Sequence, residues 1–224
     1  MGLALKGTTF AERRKMHMAQ PSWCLRDGLL ETWMRDKSKH SRILDIGAGS
    51  GETERRLVQA GFENIIAIDL ESYLDTDFIG IAPELHLLDV SKEIIPLEDA
   101  SVDVVFLLQM LEHLENPWHC IREAVRVTKK GGDVFFAIPF STSFVNRVKY
   151  LLTGDVESYS AKNNHVALFS EGLVTKLLGD QLMEVDRYYS EGFIRLPFHK
   201  KIRFRRGLLK RMFSRKIAFH LKKC

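Results

Sequence analysis

The chain has 224 residues, 45% of them hydrophobic, enough for one globular domain with a full core. Its net charge of +4 conceals an asymmetry: twelve of the 33 basic residues lie after Gly192, where no acidic residue occurs, so the preceding part holds 21 basic against 29 acidic residues. The apolar runs are too short to cross a bilayer. No secretory leader is expected in residues 1–20, and three well-separated cysteines (Cys24, Cys120 and Cys224) argue against a disulfide framework or a zinc site and for a reducing cytosol.

In chain order, residues 1–20 are polar and basic and are expected to be loosely held. Residues 23–34 place Trp23, Leu25, Leu29, Leu30, Trp33 and Met34 at near-helical spacing, which predicts a helix over the sheet or the ligand end. A strand is expected at 42–46. It runs into Gly47, Gly49 and Gly51, and a helix from 53 to 60 follows, closed by Gly61. Strand, tight glycine turn and helix form the entry to a nucleotide-binding α/β domain. A dinucleotide site would want a third glycine where Glu52 stands, and a carboxylate there repels a pyrophosphate. Glu52 and Asp45 suit a ligand with no phosphate and a cationic amino-acid end, which is the character of S-adenosylmethionine.

Further strands are predicted at 65–68, ending at Asp69; at 84–88, ending at Asp89; and at 103–108, nearly all apolar as for a strand covered on both faces. Pro117 opens a helix running to Val127, Lys130-Gly131-Gly132 turns into a strand at 134–138, and Ser170 caps a helix closed by Gly179. Strands at 183–189 and 217–221 complete the set. The alternation predicts βαβ units and a mostly parallel sheet.

Asp69 stands about 20 residues after the glycine turn, where a carboxylate can accept from both ribose hydroxyls. Asp89 and Val90, at the next strand end, can meet an adenine amine and ring nitrogen. Read singly, Asp69 is also a turn-capping residue and Asp89 a helix cap. Their order along the chain favours a nucleoside site.

These residues resemble the class I S-adenosylmethionine-dependent methyltransferases, and within them the small-molecule, type 11-like group. The resemblance rests on 44–51, on Ile95-Pro96-Leu97-Glu98-Asp99-Ala100-Ser101-Val102-Asp103-Val104-Val105, on Leu111-Glu112-His113-Leu114-Glu115-Asn116-Pro117, on 126–139, with Lys130 where the family often has proline, and on His165-Val166-Ala167-Leu168-Phe169-Ser170. It covers roughly residues 40–190. It implies a Rossmann-like, doubly wound, seven-stranded α/β sheet, mostly parallel, with 217–221 as an antiparallel last strand between the fifth and sixth. It implies S-adenosylmethionine as cofactor, with Asp45, Gly47 and Gly49 at the methionine end, Asp69 at the ribose, Asp89 and Val90 at the adenine, Gln109 near the methyl group, and Leu70 also among the cofactor-binding residues.

An oxygen acceptor needs a base. His165 and His113 are the catalytic candidates, with Glu112 a further one. Each also has a structural reading: Glu112 and His113 at a helix end or under the cofactor, His165 as a satisfied histidine. No metal is expected. The acceptor is expected to be a small-molecule or lipid-linked compound, glycan-like or quinone-like. No N/D-P-P-Y/F tetrapeptide follows the fourth strand and Cys120 falls on a helix, so nucleic acid ranks lower as a substrate.

Residues 192–216 interleave Ile202, Phe204, Leu208, Leu209, Met212 and Phe213 with cations. They read as a basic amphipathic helix able to meet an anionic membrane at its inner face through 198–216, or as a solvated basic surface, or as a phosphate-binding surface for RNA. The expected organisation is a cap (1–40), a cofactor-binding core (41–191), the basic insertion (192–216) and the last strand (217–224). Two rival functions stand beside the first: an RNA methyltransferase, and a non-catalytic cofactor-binding partner subunit.

Overall fold

The computed structural model describes residues 22–71, 84–159, 164–195 and 201–224. The readings for residues 1–20 and part of 192–216 lie outside that set. Seven strands form one sheet: β1 (Arg42–Ile46), β2 (Asn64–Asp69), β3 (Glu84–Leu87), β4 (Val102–Leu108), β5 (Thr128–Pro139), β6 (Leu182–Tyr189) and, last in the chain, β9 (Lys216–Lys223). Their spatial order is β3-β2-β1-β4-β5-β9-β6, with β9 antiparallel to both neighbours. The last strand therefore sits where the resemblance placed it. Strand order reverses between β1 and β4, and ligands in such sheets bind at that crevice, above the strand C-termini.

Helices cover both faces because the central strands are apolar on both. Along β4, Val104, Phe106 and Leu108 join one buried cluster, while Val105 and Leu107 join the other. The second cluster packs under α4 (Pro117–Val127) and α6 (Glu171–Leu178). Asn116 and Ser170 cap those two helices, accepting from the His119 and Leu173 amides. The first cluster is roofed by α1 (Trp23–Arg26) and α2 (Leu29–Met34), and by α3 (Glu52–Gln59), which follows the glycine turn. Trp33 stacks on Phe135 with ring centroids 4.6 Å apart and meets Tyr188 edge-on at 5.8 Å. Aromatic contacts of this kind add about 0.5–1.5 kcal/mol beyond area burial.

Three readings are corrected. The helix expected over 23–34 is two short ones, because Gly28 takes φ 71° between them. A helix absent from the expectations, α5 (Phe144–Thr153), starts at Ser143, whose hydroxyl accepts from the Asn146 amide. Only Asn146 of this helix is buried, so no apolar stripe faces the core to mark it. The basic segment is not one amphipathic helix. β7 (Gly192–Arg195) and β8 (Lys201–Phe204) pair as an antiparallel two-stranded sheet. Only α7 (Gly207–Phe213) is helical, with Gly207 at φ 70° at its start. Phe193-Ile194 and Ile202-Arg203-Phe204 carry β-favouring residues, which explains the hairpin.

Candidate functional site

The glycine turn builds the floor of the site. Gly47, Gly49 and Gly51 all take positive φ, at 87°, 55° and 76°. A Cβ on Gly47 would stand 2.6 Å from Met110 Cγ, so only glycine passes there. The Asp69 carboxylate secures the turn: it accepts from the Gly49 amide at 2.8 Å and from the Leu70 amide at 2.7 Å.

Two lobes open above this turn and share Gly47, Gln109 and His113. One, of about 320 Å³, is lined by Asp69, Leu70, Asp89, Val90, Met110 and Leu114, among others. It joins apolar walls to two carboxylates at successive strand ends, which fits a nucleoside, and its one lysine, Lys92, is paired with Asp89 at 3.0 Å. The Asp89 carboxylate is held below its usual range by its bond from the Ser91 hydroxyl at 2.6 Å; burial opposes this, and Lys92 at 3.0 Å adds to it.

The second lobe, of about 330 Å³, includes Gly49, Ser50, Glu52, Glu112, His165 and Lys216. Gln109 stands between the lobes at φ 61°. Its amide donates to the Ala137 carbonyl at 2.8 Å. Its Oε1 accepts from Lys216 Nζ at 3.0 Å, the Trp23 amide at 3.2 Å and the Ser22 hydroxyl at 3.3 Å. Gln109 thus ties α1 to the cavity. Lys216 was only one cation of the basic end in the sequence. Here it lines the lobe, and burial lowers its pKa.

Two acidic residues play other parts than their positions implied. Asp45 is buried beneath the turn, outside the lining of either lobe, beside Thr53 and Glu54. Burial lifts its pKa to about 7 and, with the neighbouring Asp45 charge, raises that of Glu54 too. Glu52 does line the second lobe, but Arg55 at 2.8 Å and Arg56 at 2.9 Å counter its charge. Burial alone would raise its pKa, and the two guanidiniums outweigh that and lower it. Glu52 is therefore a weaker discriminator against phosphate than the sequence suggested.

The catalytic candidates do meet. Val166 and Ala167 donate their amides to the Glu112 carbonyl at 2.8 and 3.1 Å, which docks the later segment on the turn after β4. The rings of His113 and His165 meet edge-on, 4.7 Å between centroids. Glu112 is fully buried beside them, and burial raises its pKa to about 8.

Residues 44–136 match the family described as a methyltransferase domain. Over 124 residues the chain is 36% identical to a ubiquinone biosynthesis O-methyltransferase of Hydrogenovibrio crunogenus, covering 51% of this chain and 47% of that one. Over 97 residues it is 33% identical to a 27-O-demethylrifamycin SV methyltransferase of Amycolatopsis mediterranei, covering 41% of this chain and 36% of that one. The chain thus spans less than half the length of these curated relatives. In fold it is similar to a SAM-dependent methyltransferase from Archaeoglobus fulgidus, with a TM-score of 0.62 and 15% identity over 96% of this chain and 100% of that one. The glycine cradle with Asp69 and Asp89 fits S-adenosylmethionine.

Proposed function

We propose that this chain, whose residues 44–136 match the methyltransferase-domain family, transfers a methyl group to an oxygen of a small-molecule or lipid-linked acceptor. The observation that carries this reading is the pair of lobes meeting at Gly47, Gln109 and His113. One suits the nucleoside. The other offers Glu112, His113 and His165 to an acceptor. S-adenosylmethionine, when bound, supplies an electrophilic methyl group on a sulfonium. The protein holds the acceptor in line, excludes water and takes up the hydroxyl proton. The relative named above as a ubiquinone biosynthesis O-methyltransferase favours oxygen.

The basic end supports a membrane-bound or lipid-linked acceptor. α7 lies against α5 through Phe213 and Phe144, whose ring centroids are 5.7 Å apart. Together the helices expose Leu151 (83%), Leu152 (78%) and Leu208 (69%). Arg147, Lys149, Lys210 and Arg211 lie on the same two helices. Apolar residues among cations suit an anionic lipid surface. No helix among the described residues is long and apolar enough to cross a membrane, so such contact would be peripheral.

Tritiated S-adenosylmethionine incubated with the protein and either a lipid extract or total RNA tests the reading. Label entering the lipid or small-molecule fraction and leaving RNA bare is the expected result. Label in RNA would favour the rival that uses the basic surface for phosphates. Label in neither, despite cofactor binding, would favour a non-catalytic partner subunit. Leu151→Asp with Leu208→Asp should reduce pelleting with anionic vesicles and leave cofactor affinity unchanged. Undiminished pelleting would remove the membrane element.

A further inference from the structure

The acceptor lobe holds a group of side chains with more chemistry than a base requires. Glu112 and His113 sit on the 3-10 turn Leu111–His113, and His165 arrives on the segment docked against it. One donor atom from each of the three lies within 4.8 Å of the others. His113 Nδ1 is 3.3 Å from the Asn164 carbonyl oxygen. A carbonyl only accepts, so Nδ1 carries the proton and the lone pair is on Nε2. A backbone carbonyl holding one imidazole nitrogen is how metal-binding histidines are commonly oriented.

Glu112 points the same way. Neither carboxyl oxygen has a hydrogen-bond partner among the described residues, and the residue is wholly buried. A buried, unpartnered polar group destabilises the fold, so a cation held there would offset the cost. Among the described residues the charge of Lys216 acts on Glu112, but no hydrogen bond joins the two, and Lys216 Nζ donates to Gln109 Oε1 at 3.0 Å.

We propose that Glu112, His113 and His165 bind a divalent transition-metal ion at the inner wall of the acceptor lobe. One carboxylate with two imidazoles suits Zn²⁺, Mn²⁺ or Fe²⁺, whereas Ca²⁺ and Mg²⁺ favour all-oxygen sites. With bonds of about 2.0–2.2 Å, tetrahedral ligand atoms stand roughly 3.4 Å apart, so the ion draws the three groups inward by modest side-chain rotation. Three protein ligands leave at least one position facing the cavity. On the functional reading above, which this inference deepens, an acceptor oxygen fills it, and the cluster acts as a metal site rather than as two separate bases. The cysteine count had argued against a zinc site, and this set uses no cysteine.

The full chain is stripped with EDTA, then titrated calorimetrically with ZnCl₂ and with MnCl₂; bound metal is counted by elemental analysis after dialysis. One ion per chain is expected. Glu112→Gln and His165→Ala should each weaken binding at least about tenfold, while His40→Ala, an exposed histidine elsewhere, leaves it unchanged. S-adenosylhomocysteine affinity, measured on the same variants, reports that the cofactor lobe is intact. Failure of the wild type to retain either ion, or equal retention after His165→Ala, overturns the metal site. Loss of cofactor binding in the wild type would instead overturn the methyl-transfer reading and leave a metal result standing.

Discussion

Replacing Asp69 with asparagine isolates the contribution of one carboxylate to nucleoside binding. Asp69 is nearly buried and accepts from two backbone amides, Gly49 at 2.8 Å and Leu70 at 2.7 Å. Asparagine keeps the shape but has one acceptor oxygen where the carboxylate has two. The ribose diol would lose charge-assisted hydrogen bonding, each such bond contributing about 1.5–3 kcal/mol. Loss of one corresponds to a Kd raised roughly 10–150-fold. Isothermal titration with S-adenosylhomocysteine measures it, and a thermal melt of the unliganded variant separates binding from unfolding. A Kd within threefold of wild type, in a folded variant, would refute the reasoning that Asp69 receives the ribose.

Glu112→Gln should change the pH dependence of stability in metal-stripped protein. Burial raises the Glu112 pKa from 4.5 to about 8. The unfolded chain therefore releases this proton first as pH rises, and the folded state loses stability between about pH 4.5 and 8. The penalty is under about 1 kcal/mol at pH 5 and about 3 kcal/mol at pH 7. Urea titrations at both pH values should show the gap between variant and wild type moving in the variant's favour at the higher pH, with His113, His165, Tyr159 and Lys216 unchanged in both proteins; parallel pH profiles would contradict this. Gly47→Ala combines a φ of 87° with a Cβ 2.6 Å from Met110 Cγ. Strain of about 1–2 kcal/mol and overpacking of about 1–3 kcal/mol should lower Tm by several degrees. An unchanged Tm would show that the turn is looser than its contacts imply.

The sheet was legible because its strands carry local signals. Alternate residues of β4 face two buried layers, and so every position from Val104 to Leu108 is apolar. The glycine turn, Asp69 and Asp89 were legible because each sits at a fixed offset from a strand end, and the structure brings all three to one lobe. Spacing gives the position of Asp45 along its strand, not whether its side chain faces a cavity or the helix behind it, and here it lines neither lobe. Lys216 was invisible as a site residue for a related reason: it acts through long-range packing, reaching Gln109 across 107 positions of sequence. α5 escaped notice because its apolar residues face outward. The hairpin after Gly192 was mistaken for helix because its cations dominated a four-residue repeat that only 207–213 obeys.

Equilibrium titration of the intact protein with S-adenosylmethionine and S-adenosylhomocysteine, alongside NAD⁺, tests the central claim most directly. Saturable binding of one equivalent of either sulfur nucleoside, with no NAD⁺ binding, is the predicted result. Binding of NAD⁺ in preference, or of none of the three, would contradict a cradle built from Gly47, Gly49, Asp69 and Asp89 for a nucleoside without phosphate.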